Sequence, residues 1–328
     1  MKASVSAHYG SPDVIRVSEV WKPEPKAGEV LIKVHATTVT RTDDGMLRPH
    51  PFFIRLSAGI FRPKCTTLGM DFAGTVEAIG NGVTSFEPGA QVFGMSPYDY
   101  GAHAEYLCVP EDGLIAAMPV GACFGEVVVC EGAWYAYTCL KKVGLKRGDK
   151  ILIYGASGAI GTAAVQLAKY YGADVTAVVA TRHLDLAKSL GADRVIDYTT
   201  EDFTEIGETF DCVFDAVGKT TYFRCRKLLK PDAIFAATDL GPWWQNIFLE
   251  LWSSVTGGNR VVIPFPKISK GFVDFLKARM EMGELRAVID RHYPFEEIAD
   301  AYRYVETAQK TGIVVIDVMP PDGSTQPS

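Results

Sequence analysis

At 328 residues, with 48% hydrophobic and 22% charged residues, the chain has globular proportions, room for two domains, and cores that need no disulfide staples. A net charge of −6, with both signs interspersed throughout, excludes an electrostatic footprint for nucleic acid or anionic membrane, so the expected partner is a small molecule. No apolar run approaches the roughly 18 residues of a membrane span, Met1 to Gly10 lacks a signal-peptide pattern, and seven cysteines without a Cys-x-x-Cys pair point to free thiols in the cytoplasm.

The first 120 residues read as short strands between turn signals. Val30 to Val34 follows the turn-rich Pro23 to Gly28, Gly74 to Ile79 precedes Gly80-Asn81-Gly82, and Gln91-Val92-Phe93 follows Pro88-Gly89. That alternation predicts an antiparallel, partly open barrel. From Lys150 the rhythm changes to strand and helix in turn. Ile151 to Tyr154 is a short apolar run, Ile160 to Tyr171 has helical spacing closed by Gly172, Val175 to Ala180 is a strand, and Leu184 to Leu190 is a helix. Further strands fit Arg194 to Asp197, Asp211 to Asp215, Ala233 to Thr238 and Arg260 to Ile263, which predicts a doubly wound parallel sheet. Trp243 to Trp252 suits a helix over a pocket. Lys270 to Met282 and Phe295 to Thr307 read as helical, Ile313 to Val318 as a strand, and Pro320 to Ser328 as a frayed polar tail.

Gly155-Ala156-Ser157-Gly158-Ala159-Ile160-Gly161 joins the strand at Ile151 to a helix. Small residues there let the backbone approach a pyrophosphate, and the helix-start N–H groups favour its charge. Packing alone also produces such turns, but alternating strands and helices on both sides favour a dinucleotide. The next strand ends Ala180-Thr181-Arg182-His183 without the carboxylate that holds an NAD ribose. Its hydroxyl and guanidinium suit the 2′-phosphate of NADPH rather than NADH. Arg182 reads alternatively as a solvated helix-start residue.

Together with Glu131-Gly132-Ala133, Leu190-Gly191-Ala192-Asp193, Val195-Ile196-Asp197-Tyr198, Phe214 to Gly218 and Tyr293 to Ile298, these motifs resemble the medium-chain dehydrogenase/reductase superfamily, in its zinc-free, quinone-oxidoreductase-like branch. The resemblance runs almost the full length. It implies a Rossmann doubly wound parallel sheet at 125–265, inserted into a GroES-like, mostly antiparallel β-barrel domain formed by 1–124 and 266–328, with a substrate cleft between them and a homodimer as the assembly. It implies further that the pyrophosphate lies on Ser157, Gly158, Ala159 and Ile160, ahead of Gly161. Thr181, Arg182 and Tyr198 would surround the 2′-phosphate, and the nicotinamide half would pass Val217, Thr238 and Ile263. Tyr135 replaces a common Thr near the nicotinamide. Ile313 replaces a frequent basic residue near the 2′-phosphate, for which Lys310 is a possible substitute.

Zinc-dependent relatives polarise oxygen with a Cys, His and Glu ligand set. Here Thr40 stands where the first Cys would be and Met70-Asp71 where a His-Glu pair would be. No run of four cysteines lies within Phe93 to Cys108, and His50, Cys65 and His103 read as ordinary loop or core residues. The expected metal is none. Without a Lewis acid an isolated ketone is hard to reduce, whereas a conjugated enone, enal or quinone spreads the charge that hydride brings. Thr40 and Asp43 are the first-domain candidates to line the cleft. Tyr98 or Tyr100 would donate a proton or cover the opening. Trp243, Trp244 and Phe248 suit either the substrate mouth or a subunit contact. Two alternatives stand beside this reading: a zinc-type alcohol dehydrogenase, and a non-catalytic cofactor-binding or sensor protein on the same fold.

Overall fold

The computed structural model describes residues 1–49, 54–266, 269 and 271–320, apart from the side chains at 54 and 57. His50, Lys270 and the tail from 321 to 328, all named above, lie outside the described residues. The chain forms two compact units. The first contains the described residues of Met1–Glu131, Ser269–Glu281 and the chain from Ile289 on; the second contains those of Gly132–Ile268 and Met282–Val288.

The first unit is built on one long strand, Glu29–Thr38. It pairs antiparallel with Asp71–Ile79, Tyr106–Pro110 and Ile313–Asp317. Gln91–Met95 and Ile115–Ala117 extend the sheet beyond Asp71–Ile79, and Ile289–Pro294 lies parallel to Ile313–Asp317. Val30, Ile32 and Val34 recur at the strand period of two and pack with Phe72, Val92 and Leu107 in one core. The sheet is mostly antiparallel, as the alternation predicts. The strands Lys2–Val5, Arg16–Glu19 and Tyr106–Pro110 and the helix Arg41–Leu47 were not separated by that reading; all are short and carry a weak periodic signal.

In the second unit we number the elements β1 (Lys150–Tyr154), α1 (Ala159–Tyr170), β2 (Asp174–Val179), α2 (Leu184–Ser189), β3 (Arg194–Asp197), β4 (Phe210–Asp215), β5 (Leu229–Ala237), α3 (Gln245–Thr256) and β6 (Arg260–Val262). All six strands are parallel, in the order β3-β2-β1-β4-β5-β6. That is the order of a dinucleotide-binding sheet. Ile151, Leu152 and Ile153 are wholly buried, as expected of a strand covered on both faces. Of the helix α1, every residue from Gly161 to Ala168 is buried. β5 begins at Leu229, earlier than the apolar run at Ala233 suggests, because it carries Pro231 and the left-handed Asp232 (φ 61°) through an irregular register. The segment Phe295 to Thr307 is a single 3-10 turn, Phe295–Glu297, followed by the helix Ile298–Glu306.

Candidate active site

In the second unit the chain leaves β1 through Gly155, whose φ of +78° suits glycine, and enters α1 at Gly158. Gly158 has ordinary backbone angles (φ −79°, ψ 174°), and no side chain caps the helix. A Cβ placed on it would meet nothing closer than the Gly155 carbonyl oxygen, at 3.8 Å. Its missing side chain therefore leaves open space in front of the first helical N–H groups, the arrangement an anion needs. Gly161 serves packing instead: a Cβ there would lie 2.2 Å from the Gly155 oxygen. Ser157, Ala159 and Ile160 are partly exposed around the turn.

Val217 closes against the same turn, its Cγ1 2.7 Å from where a Cβ on Gly155 would stand. The loop that carries it is held by Asp215 at the end of β4. This buried carboxylate accepts from the amides of Val217 (3.0 Å), Gly218 (2.8 Å) and Thr220 (2.8 Å). Burial pushes its pKa up to about 6 even though the three amides favour the anion. Thr238, partly exposed, donates its amide to the Asp215 carbonyl (3.1 Å). Ile263 differs from these residues: its side chain is buried, and its carbonyl accepts from Lys142 Nζ (2.7 Å). In the sequence Asp215 reads as a strand end; the Asp-x-x-Gly spacing 215–218 is the signal for its turn-holding role.

Thr181 and Arg182 are exposed on the 3-10 turn that follows β2, and Tyr198 is exposed just after β3, where its amide donates to Val179 (3.1 Å). The carboxylate that the end of β2 lacks is supplied by the neighbouring strand. Asp197, at the end of β3, accepts from Thr181 Oγ1 (2.6 Å), Thr199 Oγ1 (2.6 Å) and the Thr199 amide (2.9 Å). The Thr181 hydroxyl, then that of Thr199, holds Asp197 below the usual carboxylate range. The Thr181 proton is thus directed at Asp197. Lys310, in the first unit, donates to the Gly312 carbonyl (2.6 Å), and burial, opposed by the Glu131 charge, lowers its pKa below the usual lysine value.

The first-unit candidates fall into a closed polar corner. Thr40 is the N-cap of the helix Arg41–Leu47 and forms a capping box with Asp43. Asp43 Oδ2 accepts from the Thr40 amide (2.9 Å) and hydroxyl (2.8 Å), and Oδ1 accepts from the Gly69 amide (3.1 Å). Asp43 is wholly buried, so it acts as a cap and not as a group facing a ligand. Asp71 does the same job at a distance: it accepts from the Glu131 amide (2.9 and 3.2 Å) in the first turn of the helix Cys130–Val143. Burial, with the Glu131 charge second, pushes its pKa well up. Thr42 donates to the buried Glu131 carboxylate (2.6 Å).

His103 is buried, with Nε2 on the Thr38 carbonyl (2.9 Å) and Nδ1 beside the Tyr302 hydroxyl (3.3 Å). A carbonyl can only accept, so Nε2 carries the proton and Tyr302 donates to Nδ1. Among the described residues no group of three or more His, Cys, Asp or Glu side chains is arranged to hold a metal ion. Tyr98 is exposed on its turn, whereas Tyr100 is buried in a left-handed conformation (φ 54°).

Two family models match the chain: "Alcohol dehydrogenase GroES-like domain" over residues 26–141 and "Zinc-binding dehydrogenase" over residues 190–316. A 2-methylene-furan-3-one reductase of Solanum lycopersicum is 35% identical, over 98% of this chain and 80% of that protein. A chloroplastic NADPH-dependent alkenal/one oxidoreductase of Arabidopsis thaliana is 32% identical over the same shares. Among solved structures, the quinone oxidoreductase from Coxiella burnetii superposes with a TM-score of 0.84 at 26% identity, over 97% of this chain and 99% of that one. A six-stranded parallel sheet with an open glycine turn, an antiparallel GroES-like unit and relatives of this similarity over nearly the whole length lead to one conclusion: the chain belongs to the medium-chain dehydrogenase/reductase superfamily, in its quinone-oxidoreductase-like branch.

Proposed function

We propose that this chain is an NADPH-dependent, zinc-independent oxidoreductase that reduces a conjugated enone or enal, or a quinone. The carrying observation is the uncapped start of α1 behind Gly158, which opens onto space that a single Cβ would begin to fill. That cradle fits a pyrophosphate, and Ser157 to Ile160 would hold it through backbone N–H groups. Arg182 and Tyr198 would read the 2′-phosphate, with Thr181 braced on Asp197 beside them. Asp215 fixes the Val217 to Thr220 loop, which the nicotinamide half would pass.

A reduced nicotinamide held there would supply hydride to the β-carbon of an enone or enal, or to a quinone, and a proton from water or from Tyr98 would complete the product. Thr40, Met70 and Asp71 offer a capping hydroxyl, a buried thioether and a helix-capping carboxylate where a metal-dependent relative would carry ligands. A conjugated acceptor, which carries the developing charge itself, suits such a chain better than an isolated ketone. The exposed Tyr98 would donate that proton in place of water or cover the opening. The relatives named as an alkenal/one oxidoreductase and a quinone oxidoreductase support this substrate class.

The proposal includes a homodimer in the cytoplasm. The thiols described are all free. Among the described residues no helix is long and apolar enough to cross a membrane. Some relatives carry chloroplastic or mitochondrial names, so cell fractionation tests the compartment. The function is tested by NADPH oxidation against a panel of enals, enones and quinones. Turnover of at least one class is expected; dinucleotide binding without any turnover would favour the sensor alternative.

A further inference from the structure

We propose that Trp243 and Trp244 form an aromatic shelf that selects flat, extended acceptors, quinones and aryl enones, over short alkenals. The inference rests on the reductase reading above and adds to it a choice among its substrate classes.

The backbone is the first observation. Trp243 (φ 54°, ψ 26°) and Trp244 (φ 59°, ψ 26°) are consecutive residues in the left-handed region. For bulky side chains that conformation is disfavoured, and it persists only where the surroundings enforce it. Burial of the first indole gives no compensation, because Trp243 is 96% exposed. A strained residue that contributes no core packing is better explained by what it presents than by what it stabilises.

The second observation is what enforces the turn. The buried Asn246 donates through Nδ2 to the Asp239 carbonyl (3.1 Å) and through its amide to the Leu240 carbonyl (3.1 Å). The Trp244 amide donates to Gly241 (3.1 Å), and a Cβ on Gly241 would lie 2.9 Å from Asn246. Asp239 in turn sits 2.8 Å from where a Cβ on Gly218 would be. Gly218 follows Val217, which closes against Gly155. Side-chain and backbone contacts therefore run continuously from the glycine turn, past the end of β4, to the backbone amide of Trp244 in the turn after β5. This is the carboxyl edge of the sheet, where open α/β folds bind ligands.

An indole recognises a flat π-system by stacking, which contributes about tenfold in affinity at its upper range. A short alkenal has too little face to profit.

The test compares wild type with Trp243→Gly and Trp243→Phe in the full chain. Rates with NADPH are read for 1,4-naphthoquinone and for 2-pentenal, alongside melting temperature and calorimetric binding of 2-naphthol, which accepts no hydride. Trp243→Gly is expected to melt at or above the wild-type temperature, since glycine adopts left-handed angles freely. Its kcat/KM for the quinone should fall about tenfold and its 2-naphthol affinity likewise, while the alkenal rate changes less than twofold. Trp243→Phe should retain most of the quinone rate. Equal losses for both acceptors, or a loss of both that accompanies dimer dissociation in sedimentation, would overturn the shelf in favour of a structural or subunit contact. If the wild type reduces neither acceptor, the reductase reading fails; 2-naphthol affinity, lost or retained in Trp243→Gly, then decides the shelf by itself.

Discussion

Two strand-to-helix junctions of this chain begin alike and end differently. In the first unit the strand Glu29–Thr38 hands over to the helix Arg41–Leu47, and Thr40 with Asp43 closes the helix start in a capping box. In the second, β1 hands over to α1 through Gly155 to Gly158, and no side chain closes it. Every helix leaves its first amides without intrahelical partners. The first junction satisfies amides from within and has no need of a ligand; the second has small residues, open space and amides that point outward. That difference is what the proposed dinucleotide site at the second junction rests on.

The most severe way to break that contrast is to close the open junction. Gly158→Val should abolish dinucleotide binding in a fluorescence titration while the melting temperature stays near wild type, because its β-position is free of protein atoms to 3.8 Å. Retained affinity in the folded variant would mean that the phosphates lie elsewhere. Next in size is the exposed Arg182. A charge-assisted hydrogen bond contributes about 1.5–3 kcal/mol, so Arg182→Ala should weaken NADPH roughly ten- to hundredfold and leave NADH nearly unchanged. Equal losses would show that Arg182 supports the turn rather than reading a phosphate.

The closed corner should respond in the opposite sense. Asp71→Ala leaves the Glu131 amide without its cap and should cost about 1–3 kcal/mol of stability in a denaturant titration. Dinucleotide affinity is expected to stay within a factor of two or so of wild type. A variant as stable as wild type but unable to bind cofactor would overturn the purely structural role assigned to Asp71.

The smallest effect concerns Asp215. Its pKa, pushed up to about 6 by burial, exceeds its free value of 3.8. Protonation therefore favours the fold, and the stability this adds is complete below about pH 4 and lost as pH rises through 6. The loop amides, however, need the anion. NADH affinity should accordingly rise a few-fold as pH climbs through 6, and Asp215→Asn should flatten the profile. NADH is the right probe because it lacks a 2′-phosphate that titrates in the same range.

Strong periodicity and spacing make the parallel sheet, α1 and the glycine turn legible in the sequence. Val30, Ile32 and Val34 do the same for the barrel strand. What escaped was set by contacts distant in sequence. Asp71 caps a helix 60 residues away, a relation that no local pattern encodes. Asp197 belongs to one strand yet braces Thr181 on its neighbour, so a reading confined to the second strand missed a carboxylate beside the expected adenosine site. Thr40 and Asp43 were visible as a Thr-x-x-Asp pair, but that spacing serves a capping box as well as a cleft, and burial decides between them. The left-handed angles at Trp243 and Trp244 have no signature in residue type, since tryptophan rarely adopts them.

The most direct test of the account is the turnover of NADPH with a conjugated acceptor before and after exhaustive chelation, with metal content measured on the same sample. The expected result is substoichiometric zinc, unchanged rates after chelation and a clear preference for NADPH over NADH. One tightly bound zinc per chain, with activity lost on chelation and restored by the metal, would contradict it.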